Sequence, residues 1–261
     1  MKIGLLGFGA IGREVLDYLK AAGADITVTG ALVTDPAKHT GAACPIVADP
    51  AAFLAGGPEL VIECASQQAF AALVPQLLAA GKHVVAGSVG ALADPVVQAA
   101  VEAASRAGGG RLYIPAGALA GIDALAAAKP VGISTVRYTR RAPPATWANH
   151  EAARGMDLST LTGPCEVFAG TAREAARRFP KNANVAAIIA LAGIGFEKTE
   201  VRILADPAIA TNVHVIDAEG RFGRLHTELS ATRISATTTS SRVVAGSLAR
   251  GVLHHTERIA V

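Results

Sequence analysis

A glycine triplet, Gly7-Phe8-Gly9-Ala10-Ile11-Gly12, follows directly on the short β-type run Lys2 to Leu6 and opens a stretch of helical character, Ala10 to Ala22. Few folds can use that order. A strand, a tight glycine turn and a helix at the N-terminus form the first step of a βαβ unit, and this context lifts G-x-G-x-x-G from a weak pattern to a strong one. Each glycine has its own reason: Gly7 makes the turn, Gly9 lets backbone approach a pyrophosphate, and Gly12 lets helix and strand pack closely. Ala10 and Ile11 lie in the first turn of the helix, whose N–H groups and positive dipole end point at the phosphates. Gly7, Gly9, Ala10, Ile11 and Gly12 are therefore candidate contacts for NAD or NADP.

The pattern continues. Ile26 to Val33, Leu60 to Glu63, His83 to Ala86 and Arg111 to Ile114 read as strands, with helices over Gln67 to Ala80 and Pro95 to Arg106 between them. Strands alternating with helices imply a parallel sheet. After about Ala120 the grammar changes, and Val131 to Arg140, Thr199 to Leu204, Asn212 to Asp217 and Arg221 to Leu229 read as strands joined by short turns. Asp217-Ala218-Glu219-Gly220 is the hairpin signal between the last two. Helices are expected over Thr171 to Arg178, Val185 to Ala192 and Ser240 to Leu253. The fold class expected is α/β: a Rossmann dinucleotide-binding domain over residues 1–120, completed by a C-terminal helix in 238–261. An α+β domain with an antiparallel or mixed sheet fills 121–237.

Composition narrows the function. Of 261 residues 51% are hydrophobic and only 4% aromatic, so a large core must be built from Ala, Val, Leu and Ile, and disorder is excluded. The longest apolar run, Val185 to Phe196, falls short of the roughly 20 residues a bilayer span needs, so no membrane partner is expected. Lys and Arg number 24 against 21 Asp and Glu, with basic residues adjacent only at Arg140-Arg141 and Arg177-Arg178. No nucleic-acid footprint follows from so small an excess. The N-terminus lacks the regions of a signal peptide, and three cysteines without C-x-x-C spacing suit reduced thiols, so a cytoplasmic location is expected. His254-His255 has no accompanying carboxylates, and no metal site is expected.

Further cofactor contacts should lie in loops at the carboxyl ends of strands. Ala65 in Cys64-Ala65-Ser66, Ser88 in Gly87-Ser88-Val89-Gly90 and Ala118 in Ala116-Gly117-Ala118 occupy such loops, although tight strand-to-helix loops favour small residues in any case. Asp35, about 20 residues beyond the glycines, is placed to hold ribose hydroxyls or to act as a turn or cap residue. Lys38 and His39 beside it would suit a 2′-phosphate. In the second domain Asn184 stands where the following apolar helix would be capped. Strand alternation sets Asn212, His214 and Ile216 on one face, with His214 expected to titrate near neutral pH. Lys181, Arg233 and Arg137 are cations suited to carboxylates. Lys181 is preferred because it adjoins Asn182 and Asn184. Cys64 and Cys165, nucleophile candidates by residue type, lie in no thiolate-activating motif.

Taken together the motifs resemble the L-aspartate dehydrogenase family, related in plan to homoserine dehydrogenase and dihydrodipicolinate reductase. The matching stretches are Gly7 to Gly12, Gly87 to Leu92, Pro115 to Leu125, Pro180 to Ala186, and Asp206-Pro207 with Asn212-Val213-His214. The resemblance implies oxidation of L-aspartate by NAD or NADP to iminoaspartate. That product hydrolyses to oxaloacetate and ammonia or feeds pyridine-nucleotide biosynthesis. It also implies cofactor contacts at Ala118 and Asn184, a catalytic histidine at His214, and a homodimer. Where the family has an Asn-Pro-Lys-Thr-Ser-like segment, this chain has Thr237-Thr238-Thr239-Ser240. Competing readings are a related two-domain dehydrogenase acting on homoserine, a semialdehyde or a cyclic imine, and a non-catalytic nucleotide-binding sensor.

Overall fold

The computed structural model describes residues 1–147, 151–180, 183–230, 232, 234 and 241–259. It divides into two compact units, Met1–Gly117 with Arg233–Val261, and Ala118–Thr232.

In the first unit strand β1 (Lys2–Leu6) leads through the glycine turn into helix α1 (Ala10–Ala21), which buries Val15 and Leu19, spaced four residues apart on one face. Then follow β2 (Thr27–Leu32), β3 (Ile46–Val47), α2 (Pro50–Ala55) and β4 (Leu60–Glu63). Next come α3 (Gln67–Ala79), β5 (His83–Ala86), α4 (Pro95–Gly108) and β6 (Leu112–Tyr113). The helices start where local chemistry allows. Ser66 Oγ accepts from Ala69 N at 3.1 Å to cap α3, and Asp94 accepts from Val96 N at 2.8 Å with Pro95 at the first position of α4. All six strands are parallel, in the order β3-β2-β1-β4-β5-β6. The winding reverses between β1 and β4, the switch point where open α/β sheets bind ligands. The β3 strand and α2 helix are absent from the sequence reading, being two and six residues long, too short for periodicity to register.

The second unit contains α5 (Ile122–Val131), β7 (Ile133–Ala142), β8 (Cys165–Thr171) and α6 (Ala172–Arg178). It continues with α7 (Ala183–Ala192), β9 (Glu200–Ala205), β10 (Val213–Gly220) and β11 (Gly223–Ser230). The strand order is β11-β10-β7-β9-β8, with β7 and β9 parallel and the remaining pairs antiparallel, so the sheet is mixed. Strand alternation buries Val136, Tyr138, Arg140 and Ala142 on one face of β7. The other face carries a cross-strand ion pair, Arg137 to Glu200 at 2.9 Å, and a cross-strand hydrogen-bond contact between His226 Nδ1 and Asp217 Oδ1 at 2.7 Å.

Three sequence expectations shift here. The hairpin turn is Arg221-Phe222, flanked by the paired Gly220 and Gly223, and Asp217 to Gly220 belong to β10. Their polar composition mimics a turn, but Asp217 and Glu219 alternate with buried Ile216 and Ala218 as an amphipathic strand should. Val131 closes helix α5 rather than opening a strand, because Pro130 is tolerated in that helix's last turn. Asn184 lies inside α7, which begins at Ala183, rather than capping it. The apolar run from Val185 marks the buried stretch and not the helix start.

Helix α8 (Arg242–Leu253) belongs to the first unit, starting from Ser241, whose Oγ accepts from Val243 N at 3.2 Å. Ala245, Leu248, Ala249 and Val252 pack with Val15 and Leu19 of α1 and Ile62 of β4. Burying one such leucine is worth about 1.5–3 kcal/mol, so this helix is integral to the first unit.

Candidate active site

In the first unit the glycine turn borders a cavity of about 400 Å³ at the carboxyl ends of β1, β2 and β4, a size suited to a small-molecule ligand. Gly7, Gly9, Ala65, Ser66, Thr34 and His39 are among its walls. Gly7 has φ +92°, and a Cβ there would lie 2.8 Å from Ala65 Cα. A Cβ on Gly12 would meet Cys64 Sγ and Gly7 O at 3.1 Å, whereas at Gly9 nothing lies within 4 Å. The three positions thus divide as the motif requires: turn, open approach and close packing. His39 Nδ1 is buried with no hydrogen-bond partner among the described residues, an orphaned polar atom beside the cavity. These residues fit a dinucleotide: the open glycine approach, the cavity and the orphaned His39 nitrogen are what such a ligand would need. The Arg13 guanidinium, which motif reading passes over, lies at the same turn and donates to Phe8 O at 3.1 Å.

Of the roles open to Asp35, the structure displays the cap. Its carboxylate accepts from Ala37 N at 3.2 Å at the head of the short turn Pro36–His39 and pairs with Lys38 Nζ at 3.3 Å. Ser88 is buried at the end of β5, with its N–H donating to Glu63 Oε2 at 2.7 Å. Cys64 Sγ lies 3.3 Å from Gly7 O, and burial, with Glu63 adding to it, pushes its thiol far up, which removes it as a nucleophile.

In the second unit a polar cluster sits on the buried face of the mixed sheet. His214 is directly opposite Arg140 in the β10–β7 register. Its Nδ1 lies 2.8 Å from Tyr138 Oη, and the two rings are nearly parallel at 11°. The Arg140 guanidinium stacks 4.9 Å over Trp147 and donates to Asn212 Oδ1 at 3.4 Å. Burial, and then the charge of Arg140, hold the His214 imidazole down at about 4 rather than near neutral pH. The sequence expectation for its titration is corrected accordingly: at pH 7 the ring is neutral. Burial pushes the Tyr138 phenol up, so it stays protonated.

Other expected residues separate from this cluster. Arg137 pairs with Glu200 on the opposite face of the sheet, removing it as a carboxylate partner. Ala118 is buried at the start of the second unit, and Asn184 is half-buried in the first turn of α7. Lys181, Arg233 and the Thr237 to Ser240 segment lie outside the described residues. Tyr138 and Arg140 were missed, although a signal existed: alternation from Val136 puts both on the apolar face, where a lone arginine is conspicuous.

Comparison with known proteins bears on the family. Residues 123–255 match the family described as aspartate dehydrogenase, C-terminal, and residues 7–115 match the homoserine dehydrogenase NAD-binding domain. An L-aspartate dehydrogenase 1 of Bordetella parapertussis is 42% identical over 257 residues, covering 97% of this chain and 95% of that protein. The L-aspartate dehydrogenase of Ruegeria pomeroyi is 41% identical over 95% of this chain and 90% of its own. The crystal structure of aspartate dehydrogenase from Thermotoga maritima superposes with a TM-score of 0.79 at 26% identity, covering 100% of this chain and 99% of that one. With half the chain matched by the family and near-complete alignment to these relatives, the chain belongs to the aspartate dehydrogenase family.

Proposed function

We infer that this chain oxidises L-aspartate with NAD or NADP as acceptor, and that His214 manages the proton. The observation that carries the second part is the buried, neutral imidazole held through Nδ1 by Tyr138 beside the cation of Arg140. A bound NAD or NADP would supply a nicotinamide as acceptor for the hydride leaving the substrate's Cα.

The chain's residues supply the rest. Loss of hydride leaves iminium character on nitrogen, so the substrate amine must first be neutral. His214 Nε2 is the ring atom left for that task, because Nδ1 is occupied. A base role assigns the ring hydrogen to Nδ1, donated to Tyr138 Oη. A base held near 4 is weak towards an ammonium group. The two carboxylates of aspartate offset the Arg140 charge and raise the basicity of His214 when substrate binds. General-base help of this kind is worth on the order of 100- to 10,000-fold. The same histidine can activate the water that hydrolyses the imine.

Cofactor contacts are assigned to Gly7, Gly9, Ala10, Ile11 and Gly12, with Ala65, Ser88, Ala118 and Asn184 following the family pattern. Asp35 is assigned to the cofactor's ribose side through the loop it caps. Lys181 is assigned to a substrate carboxylate. Arg140, beside His214, is a second cation for that role. Free thiols at Cys44, Cys64 and Cys165 suit a cytoplasmic, reducing location, and a homodimer follows from the resemblance; size-exclusion chromatography tests the latter.

The test is a panel of L-aspartate, L-glutamate and L-homoserine against NAD and NADP, following absorbance of the reduced cofactor. Turnover with L-aspartate and its loss in His214→Ala, with NADH binding intact, are expected. Preference for L-homoserine would move the chain to the sister activity, and binding without turnover of any substrate would make it a sensor.

A further inference from the structure

Glu63 ends β4 at the sheet's switch point with 0% of its surface exposed. Its neighbours in that strand, Leu60, Val61 and Ile62, are buried and apolar, as a parallel strand covered on both faces requires. A carboxylate in that position is costly unless its oxygens find donors. Both do, from backbone amides, and the Ser88 side chain hydrogen-bonds the carboxylate as well. Oε1 accepts from Ala65 N at 2.9 Å and Oε2 accepts from Ser88 N at 2.7 Å. Neither amide bonds within the sheet. One belongs to the loop after β4 and the other to the loop after β5, and Ala65 also walls the cavity beside Gly7.

We propose that Glu63 is a positioning residue for the dinucleotide: its carboxylate clips the Cys64–Ser66 loop to the Gly87–Ser88 loop and sets both against the cofactor. This rests on the dinucleotide reading of the glycine turn. Only a carboxylate performs the clip, because both oxygens must accept. Glutamine keeps the shape but turns an NH2 group towards one of the two N–H donors, so one loop must swing away. Leucine leaves the buried Ser88 amide and the part-buried Ala65 amide both unpaired.

The test is Glu63→Gln, titrated with NADH by fluorescence alongside the wild type, with Tm recorded for each. If binding must bring the displaced loop back against the cofactor with its amide unpaired, that penalty falls on binding and corresponds to a loss of about tenfold or more in affinity. The expected result is that rise in Kd, and in KM for the cofactor, with kcat at saturating cofactor and KM for L-aspartate within about threefold of wild type. A purely structural role would lower Tm and the active fraction while leaving the Kd of the folded molecules unchanged, and that result overturns the proposal. Should the variant not fold, amide hydrogen exchange on the cofactor-free wild type decides: Ala65 and Ser88 amides protected as strongly as their strand neighbours support the clip, and rapid exchange at either refutes it. Failure of the wild type to bind NADH would instead remove the dinucleotide site, and this proposal with it.

Discussion

The His214 imidazole gives the sharpest quantitative consequence. In the unfolded chain a histidine titrates near 6.5, whereas burial and Arg140 hold this one at about 4. As pH falls through that window the unfolded state takes up a proton that the folded state refuses, so stability declines with acidification and levels off below about 4. The full difference is about 2.5 pKa units, or roughly 3 kcal/mol, and integrating from pH 7 to pH 5 gives about 2 kcal/mol. His214→Asn keeps a polar group near Tyr138 but cannot titrate. Urea unfolding followed by the chain's single tryptophan, Trp147, reports on this unit, since that ring is 1% exposed and stacked on Arg140. The wild type should lose about 2 kcal/mol more than the variant between pH 7 and pH 5. Parallel losses in the two proteins would show that His214 titrates as an ordinary solvated histidine, and the description of its pocket would fall.

Other consequences follow from the same geometry. Gly7→Ala combines a left-handed backbone cost of about 1–2 kcal/mol with a clash against Ala65 of about 1–3 kcal/mol, so Tm should drop and NADH affinity should fall together. Differential scanning calorimetry and a binding titration check both. Tyr138→Phe removes the partner of Nδ1, so kcat should fall several-fold, on the order of the 0.5–1.5 kcal/mol of a net hydrogen bond, with cofactor Kd unchanged. Arg140→Met removes the charge that lowers His214, so the histidine's pKa by NMR should rise above about 4, and KM for L-aspartate should increase about tenfold.

How far the sequence anticipated this molecule depends on the length of each signal. Strands β1, β4 and β5 match their expected bounds because glycine and helix-start residues bracket them closely, and α1, α3 and α4 differ only at their C-terminal ends. Elements without such punctuation were lost: β3 is two residues, and α5 hides behind Pro130. The glycine cradle was legible because each glycine answers a separate steric demand. Glu63 was not, because a carboxylate at the end of an apolar strand gives no sign in sequence that the amide of Ser88, 25 residues away, converges on it together with the nearby Ala65 amide. The depressed basicity of His214 was equally invisible, since it arises first from burial, which only the packed sheet reveals, and then from the cross-strand Arg140, more than 70 residues away in sequence.

The central claim is that the Cα hydrogen of L-aspartate leaves as hydride to the nicotinamide while His214 holds the proton. L-aspartate deuterated at Cα, incubated with NAD or NADP and followed by NMR of the reduced cofactor, tests it directly. Deuterium should appear at the nicotinamide ring, and in His214→Ala this transfer should slow on the order of 100-fold or more while the cofactor still binds. Deuterium found in water instead, or undiminished transfer in the variant, would contradict the account.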